Sequence, residues 1–101
     1  MNYRNNRIRQ AARHEQCTLR FPCCDYGTDT TVWCHSNLLE DGHGTGIKAH
    51  DHCGCFGCVS CHDVLDRRIF LEGWSNQEIL NRFHQAMKKS WLVLLEKGVL
   101  K

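Results

Sequence analysis

At 101 residues, with 42% hydrophobic and 24% charged side chains, the chain holds one domain whose apolar core alone is marginal. The net charge of +2 is too small to mark a polyelectrolyte, and no apolar run is long enough for a helical membrane span, so no membrane partner is expected. The arginine-rich start, Met1 to Arg7, has no apolar stretch behind it and does not read as a signal peptide. A cytoplasmic location is therefore expected, where cysteine clusters bind metals more often than they form disulfides.

Residues 4–16 favour helix through Arg, Gln and Ala, but carry few apolar side chains. Residues 1–16 are read as a short basic surface helix or arm. Leu19 and Phe21 alternate with Thr18 and Arg20, a strand signal that Pro22 stops. Asp25 to Gly27 then supplies turn chemistry, and cysteines at 17 and 23 or 24 bracket the segment as a zinc knuckle. Thr30 to His35 is rich in β-branched and aromatic residues and predicts a strand ending in His35. Residues 41–46 form a glycine-rich loop that lacks the Lys-Ser/Thr ending of a P-loop, which excludes that mode of nucleotide binding. Residues 53–57 predict a short return strand. Residues 58–68 predict a helix with Val59, Val64 and Leu65 facing inward. Ser75 to Glu78 is a capping box that opens a last helix over 75–98. Its apolar face is Ile79, Leu80, Phe83, Met87, Trp91, Leu94 and Leu95, with Gly98 as the C-terminal cap. Trp74, Trp91 and that face leave room for a homodimer.

Eight cysteines and seven histidines give the chain its chemistry. Cys58-Val-Ser-Cys61 places two thiolates about one turn apart, so both can reach one Zn²⁺ at roughly 2.3 Å. Cys17, with Cys23 or Cys24, supplies the pair that closes a tetrahedral site. Cys34, Cys53 and Cys55 remain as small buried hydrophobes, or contribute to a second zinc together with His50 or His52. Charge is also segregated: +4 over residues 1–20, −6 over 21–66 and +4 over 67–101. Basic flanks around an acidic, histidine-rich centre suit a protein that grips a polyanion and does metal chemistry in the middle.

Knuckle, strand ending in His, glycine loop, short strand and a helix opening with C-x-x-C-H is the linear order of a treble-clef zinc fold of the ββα-metal kind, an α+β architecture that hosts HNH endonucleases. In that order His35 stands where a general base belongs. His62 stands where the helix ligand of a catalytic divalent metal (Mg²⁺, Mn²⁺ or Zn²⁺) belongs. Lys48, Arg67 and Arg68 are the candidate contacts to a nucleic-acid backbone, although Arg67 and Arg68 also stand at ion-pair spacing from Asp63 and Asp66. Cys58 to His62 matches a c-type haem attachment site as well, but six further cysteines and the absence of a signal peptide argue against haem.

The chain resembles the YbcO-like family of small phage and prophage proteins, regarded as HNH-type nucleases. The resemblance is carried by residues 8–13, Cys17 to Cys24, Thr30 to His35, Gly44 to Asp51, Cys58 to Arg68, and Trp91 through Val99. It implies DNA processing near phage recombination functions. It also favours Cys24 over Cys23, because the family pattern places a cysteine just before the Asn/Asp turn and Asp25 follows Cys24. The middle Asn of an HNH motif has no clear counterpart here; His50, Asp51 or His52 occupies its place. A non-catalytic zinc module that binds DNA or a phage protein would use the same cysteines and basic flanks without needing His35.

Overall fold

Asn5 caps the first helix by accepting a hydrogen bond from Arg7 N at 3.0 Å, and α1 (Asn6–Ala11) buries Ile8 on its inner side. These features belong to a computed structural model that describes residues 2–100. Residues 2–5 precede α1 as an extended arm, so both the basic arm and the short helix exist. The expected strand at 18–21 does not form. Arg20 adopts a left-handed φ of 49° that breaks the extended path, although the alternation in burial holds: Leu19 and Phe21 are fully buried while Arg20 is exposed. The Cys24 N–H closes a turn on the Phe21 carbonyl at 2.8 Å, and Gly27 N–H donates to the Asp25 carboxylate at 2.9 Å.

Strand β1 (Val32–His35) pairs antiparallel with β2 (Gly54–Gly57), in the register Val32 opposite Gly57 and His35 opposite Gly54. A two-stranded ribbon is marginal unless something covers it. Here α3 (Asn76–Glu96) lies against β2, and α1 against β1. The free edge of β2 is satisfied by Ser90 and Thr18 instead of a third strand. Phe56 N–H donates to Ser90 Oγ at 3.0 Å, and the Phe56 carbonyl accepts from Thr18 N–H at 2.8 Å and Thr18 Oγ1 at 2.7 Å. Pairing the edge in this way removes a template for aggregation. Between the strands a single 3-10 turn (Leu39–Asp41) leads into the glycine loop, and α2 (Val59–Leu65) follows β2 directly.

The capping box at Ser75 and Glu78 is present, and Gly98 sits just beyond the helix with φ 72°, as expected for a left-handed C-terminal stop. Two inward assignments do not hold. Val59 is the first residue of α2 and is 49% exposed; Leu95 lies in the last turn of α3 and is 48% exposed. The core has two parts. One gathers the cysteines with Leu19, Phe21, Val64 and Phe83; the other joins Ile8, Trp33, Phe56 and Leu94. Both remaining tryptophans pack within the chain: Trp74 meets Phe21 edge-on at 5.4 Å, and Trp91 donates to the His52 carbonyl at 2.7 Å. No helix among the described residues is long and apolar enough to cross a membrane.

Candidate metal centre and active cleft

The knuckle turn and the start of α2 bring Cys17, Cys24, Cys58 and Cys61 together, with all four sulfurs within 4.8 Å of one another and all four residues buried. A tetrahedral zinc–thiolate site with bonds near 2.3 Å has sulfurs roughly 3.8 Å apart, and Cys24 and Cys58 stand at 3.9 Å. Backbone amides already point at the sulfurs, from Tyr26 to Cys24 at 3.4 Å and from Cys61 to Cys58 at 3.5 Å. Cys58 also caps α2, where the helix dipole favours negative charge. A hydrogen bond from Cys61 pulls the Cys17 thiol down to about 4, whereas burial pushes Cys24 up to about 11. Four sulfurs this close and this buried are held together as thiolates only when a cation balances them. The donor set fits a metal ion such as zinc.

The other cysteines lie outside this set. Cys23 is half-buried and turns its sulfur toward the Ser60 carbonyl at 3.6 Å. Cys34 and Cys55 face each other across the sheet, fully buried. Burial pushes Cys53 up to about 11. Among the described residues no second group of three or more metal donors converges around Cys53 or Cys55. His50 Nδ1 accepts from the Tyr3 N–H at 2.9 Å, and His52 packs against the Tyr3 ring. No disulfide is formed among the described residues.

His35 ends β1 and opens onto a cleft of about 530 Å³. The same cleft is lined by His62 from α2, Lys48 and His43 from the glycine loop, Arg9 from α1 and Asn37. The structure thus brings together His35, His62 and Lys48, three of the residues singled out by sequence. Arg67 does not join them; it leaves α2 with a left-handed φ of 62° and lines a neighbouring hollow. Arg68 pairs with Asp63 at 3.4 Å, the ion-pair alternative at that position. Asp66 pairs instead with His62, carboxylate to Nε2 at 3.2 Å, across one helical turn.

The residue that sequence left undecided turns out to organise the cleft. Asp51 is fully buried, and its Oδ1 lies 2.8 Å from His35 Nε2. The same carboxylate accepts from the Asn5 amide, meets Arg4 Nη1 at 3.1 Å and Arg9 Nε at 3.3 Å. Trp33 Nε1 holds the Asp51 carbonyl at 2.7 Å, and the Asp51 N–H donates to Tyr3 O at 2.9 Å. Burial works to raise the Asp51 pKa. The bonds from His35, Asn5 and Arg4 and the charge of Arg9 outweigh it, so the carboxyl stays below its ordinary range. Burial lowers the His35 pKa, against the opposing pull of Asp51. His35 is therefore a neutral imidazole near pH 7. Its Nε2 proton is held by a carboxylate and its Nδ1 lone pair is left free, an arrangement suited to accepting a proton.

Sequence reading passed over Arg4, Arg9, His43 and Asp66 as site residues. Only Asp66 carried a local signal, four residues from His62 on one helix face. The arm explains the others. Asn2 Nδ2 donates to the carbonyls of Gly42 at 2.7 Å and Lys48 at 2.9 Å, and Arg4 donates to Lys48 O at 2.6 Å, so the arm ties down the loop that carries His43 and Lys48.

Residues 6–92 match the family model described as "Putative nuclease YbcO". Relatives of that same name in Escherichia coli K12 and in Enterobacteria phage 82 are each 33% identical over 97 residues, covering 93% of this chain and 96% of theirs. A solved structure described as a putative bacteriophage protein from Escherichia coli K-12 superposes with a TM-score of 0.70 at 25% identity, covering 91% of this chain and all of the other. With a family match across most of its length and relatives at that identity, the chain belongs to the YbcO family of phage and bacterial proteins, which carry the name of nucleases.

Proposed function

We propose that the chain is a metal-dependent nuclease of the HNH type, built on a treble-clef ββα-metal core, that hydrolyses phosphodiester bonds, with DNA in phage recombination or DNA processing as its substrate and the host cytoplasm as its place of action. The observation that carries this reading is the His35–Asp51 pair, buried on one side and open on the other to a cleft that His62 and Lys48 also line.

In this reading Cys17, Cys24, Cys58 and Cys61 hold a structural Zn²⁺ that fixes the knuckle against α2. Asp51 holds the Nε2 proton of His35, so Nδ1 takes the proton from an attacking water. The hydroxide forms the new bond to phosphorus as the bond to the leaving oxygen breaks. Lys48 and Arg9 meet the phosphate oxygens, and Arg67 and Arg68 lend positive charge along the strand. His62, held by Asp66, is the side chain that would bind a catalytic Mg²⁺, Mn²⁺ or Zn²⁺. Such an ion supplies Lewis-acid stabilisation of the charge that builds on the phosphate and the leaving oxygen.

The test is cleavage of linear, nicked and branched DNA with several divalent metals. His35→Ala should lose about 10²–10⁴-fold in rate, the usual share of a general base, with zinc content and folding unchanged. Cleavage by His35→Ala at the wild-type rate would end the assignment. One observation favours the rival reading, a non-catalytic zinc module that binds DNA or a phage protein. Among the described residues, the cysteines are the group whose donors converge on a single point. If wild type cleaves none of the substrates with any metal, that module is the better account.

A further inference from the structure

On the other side of His35 a second hollow of about 440 Å³ opens, and its walls differ in kind from those of the cleft. Leu38, Val64, Ile79, Leu80 and Phe83 give it apolar surfaces. Asn76 and Gln77, the first two residues of α3, add carboxamides, and Arg67 adds a cation. The two hollows share His35, Ser36, Asn37 and Asp66 as a common wall. A strand whose phosphate lies beside His35 therefore has its flanking nucleoside within reach of the second hollow.

Lining chemistry narrows the occupant. Asn and Gln side chains offer a donor and an acceptor together, the pair that reads the edge of a base. Among the described residues the Asn76 carboxamide and the Arg67 guanidinium have no protein partner, and Gln77 spends one donor on Asn81 at 2.8 Å while its oxygen stays open. A flat group with apolar faces and polar edges uses every part of this wall. An aliphatic chain would leave the carboxamides unused, and a phosphate would sit against leucine and isoleucine.

We infer that this hollow receives an unpaired nucleobase next to the phosphate held at His35, so that the substrate is single-stranded or locally unpaired DNA. The inference rests on the nuclease reading for the position of that phosphate. Apolar side chains sandwiching a splayed base, with polar groups at its edge, is the general way that proteins hold unstacked bases. In an intact duplex the base must first leave its stack, which favours nicked ends, frayed junctions and single strands over continuous duplex.

The experiment measures binding by fluorescence anisotropy of the whole zinc-loaded protein with no divalent metal added, so that no strand is cut. Three probes are compared: a short single strand, the same strand with abasic sites, and its duplex. Losing the base should weaken binding roughly 5- to 100-fold, the range found for base stacking, and the duplex should bind at least about tenfold more weakly than the single strand. Leu80→Trp, which fills the hollow, should bring the intact strand down to the affinity of the abasic one and leave the abasic affinity unchanged. Asn76→Ala combined with Gln77→Ala, both at exposed positions that the core does not use, should repeat that pattern more weakly and guards against a folding defect in the first variant. Equal affinity for intact and abasic strands overturns the inference, as does a Leu80→Trp protein that is folded and loses both equally. Cleavage by wild type without base discrimination sinks this inference alone; base discrimination without cleavage under any metal sinks the nuclease reading and leaves a base-binding hollow standing.

Discussion

Replacing Asp51 with Asn keeps the shape of the side chain and removes its charge, which makes it the sharpest probe of the His35 site. The wild-type carboxylate can only accept, so His35 must carry its proton on Nε2 and leave the Nδ1 lone pair free. The substituted amide can donate to Nε2, which moves the imidazole proton to Nδ1, the atom that must accept. In catalytic triads the same loss of tautomer control costs about 10⁴ in rate, and a general base contributes about 10²–10⁴. A fall of about 10²–10⁴ in kcat is therefore expected for Asp51→Asn, with KM for DNA little changed.

Stability should suffer less than burial alone suggests. Breaking a buried ion pair costs about 3–5 kcal/mol, but Arg4 and Arg9 keep 38% and 42% of their side chains in solvent, and the amide oxygen still accepts from Asn5. A loss of about 1–3 kcal/mol is expected, equivalent to roughly 4–8 °C in Tm per kcal/mol for a chain of this size. The pH profile separates positioning from mere stability. Activity needs neutral His35, whose pKa lies below its ordinary 6.5 because burial outweighs the pull of Asp51. The rate should therefore rise with pH through a limb below pH 6.5 and be flat at neutrality. Removing the Asp51 charge removes an influence that raises the pKa, so the residual activity should show that limb moved further down. Cleavage at the wild-type rate with an unmoved limb, in a protein whose zinc content and Tm are measured alongside, would refute the assignment of Asp51.

Two further expectations concern the scaffold. Chelation should unfold the chain, since zinc binding in small domains supplies about 10–16 kcal/mol of apparent folding energy; Cys24→Ser should lose zinc by elemental analysis while Cys23→Ser keeps it, and the reverse would exchange the two ligands. Ser90→Ala should lower stability by about 1–3 kcal/mol in urea titration, because Phe56 N–H would be left unpaired in the interior; an unchanged midpoint would mean that the edge of β2 does not depend on this hydroxyl.

What could be read in advance depended on how local the determinant was. The ends of α3 were legible because the capping box and Gly98 act within four residues of their helix. β1 was legible from a short β-branched and aromatic run, and β2 from its place as a short return segment before the C-x-x-C helix. The alternation of Leu19 and Phe21 misled because the knuckle, not a ladder, sets that backbone, and Arg20 turns left-handed to bring Cys17 and Cys24 toward one point. By spacing alone Cys23 and Cys24 have equal claims, and only the family resemblance favoured Cys24; the turn from Phe21 to Cys24 orients one sulfur into the set and the other toward Ser60. Asp51 was the least legible. It sits between two histidines, and what buries it is an arm 46 residues away, whose Asn5 amide reaches its carboxylate. Charge segregation likewise showed that basic residues flank an acidic centre, but not that Arg4 and Arg9 would be drawn inward onto one carboxylate.

The cleft and the sheet are coupled through Trp33, which precedes His35 by two residues in β1. Its indole N–H holds the Asp51 carbonyl, and its ring packs over the backbone of Gly54, the residue opposite His35. A Cβ at position 54 would stand 2.6 Å from the Cys34 carbonyl oxygen and 2.7 Å from Trp33 Nε1, so only glycine allows the strand to close at this end. Moving the indole would release Asp51 from the strand that carries its partner. The distance between His35 and Asp51 is thus set by packing in β1 and β2 together with the arm contacts to the Asp51 carboxylate. On the other side, His62 directly follows Cys61, so the position of α2 against the knuckle also sets where His62 meets the cleft. The sheet thus places His35, the proposed base, and the cysteine cluster places His62, the proposed metal ligand, so two scaffolds divide the site. As chelation unfolds the chain, His62 should therefore be displaced before the His35–Asp51 pair is disturbed.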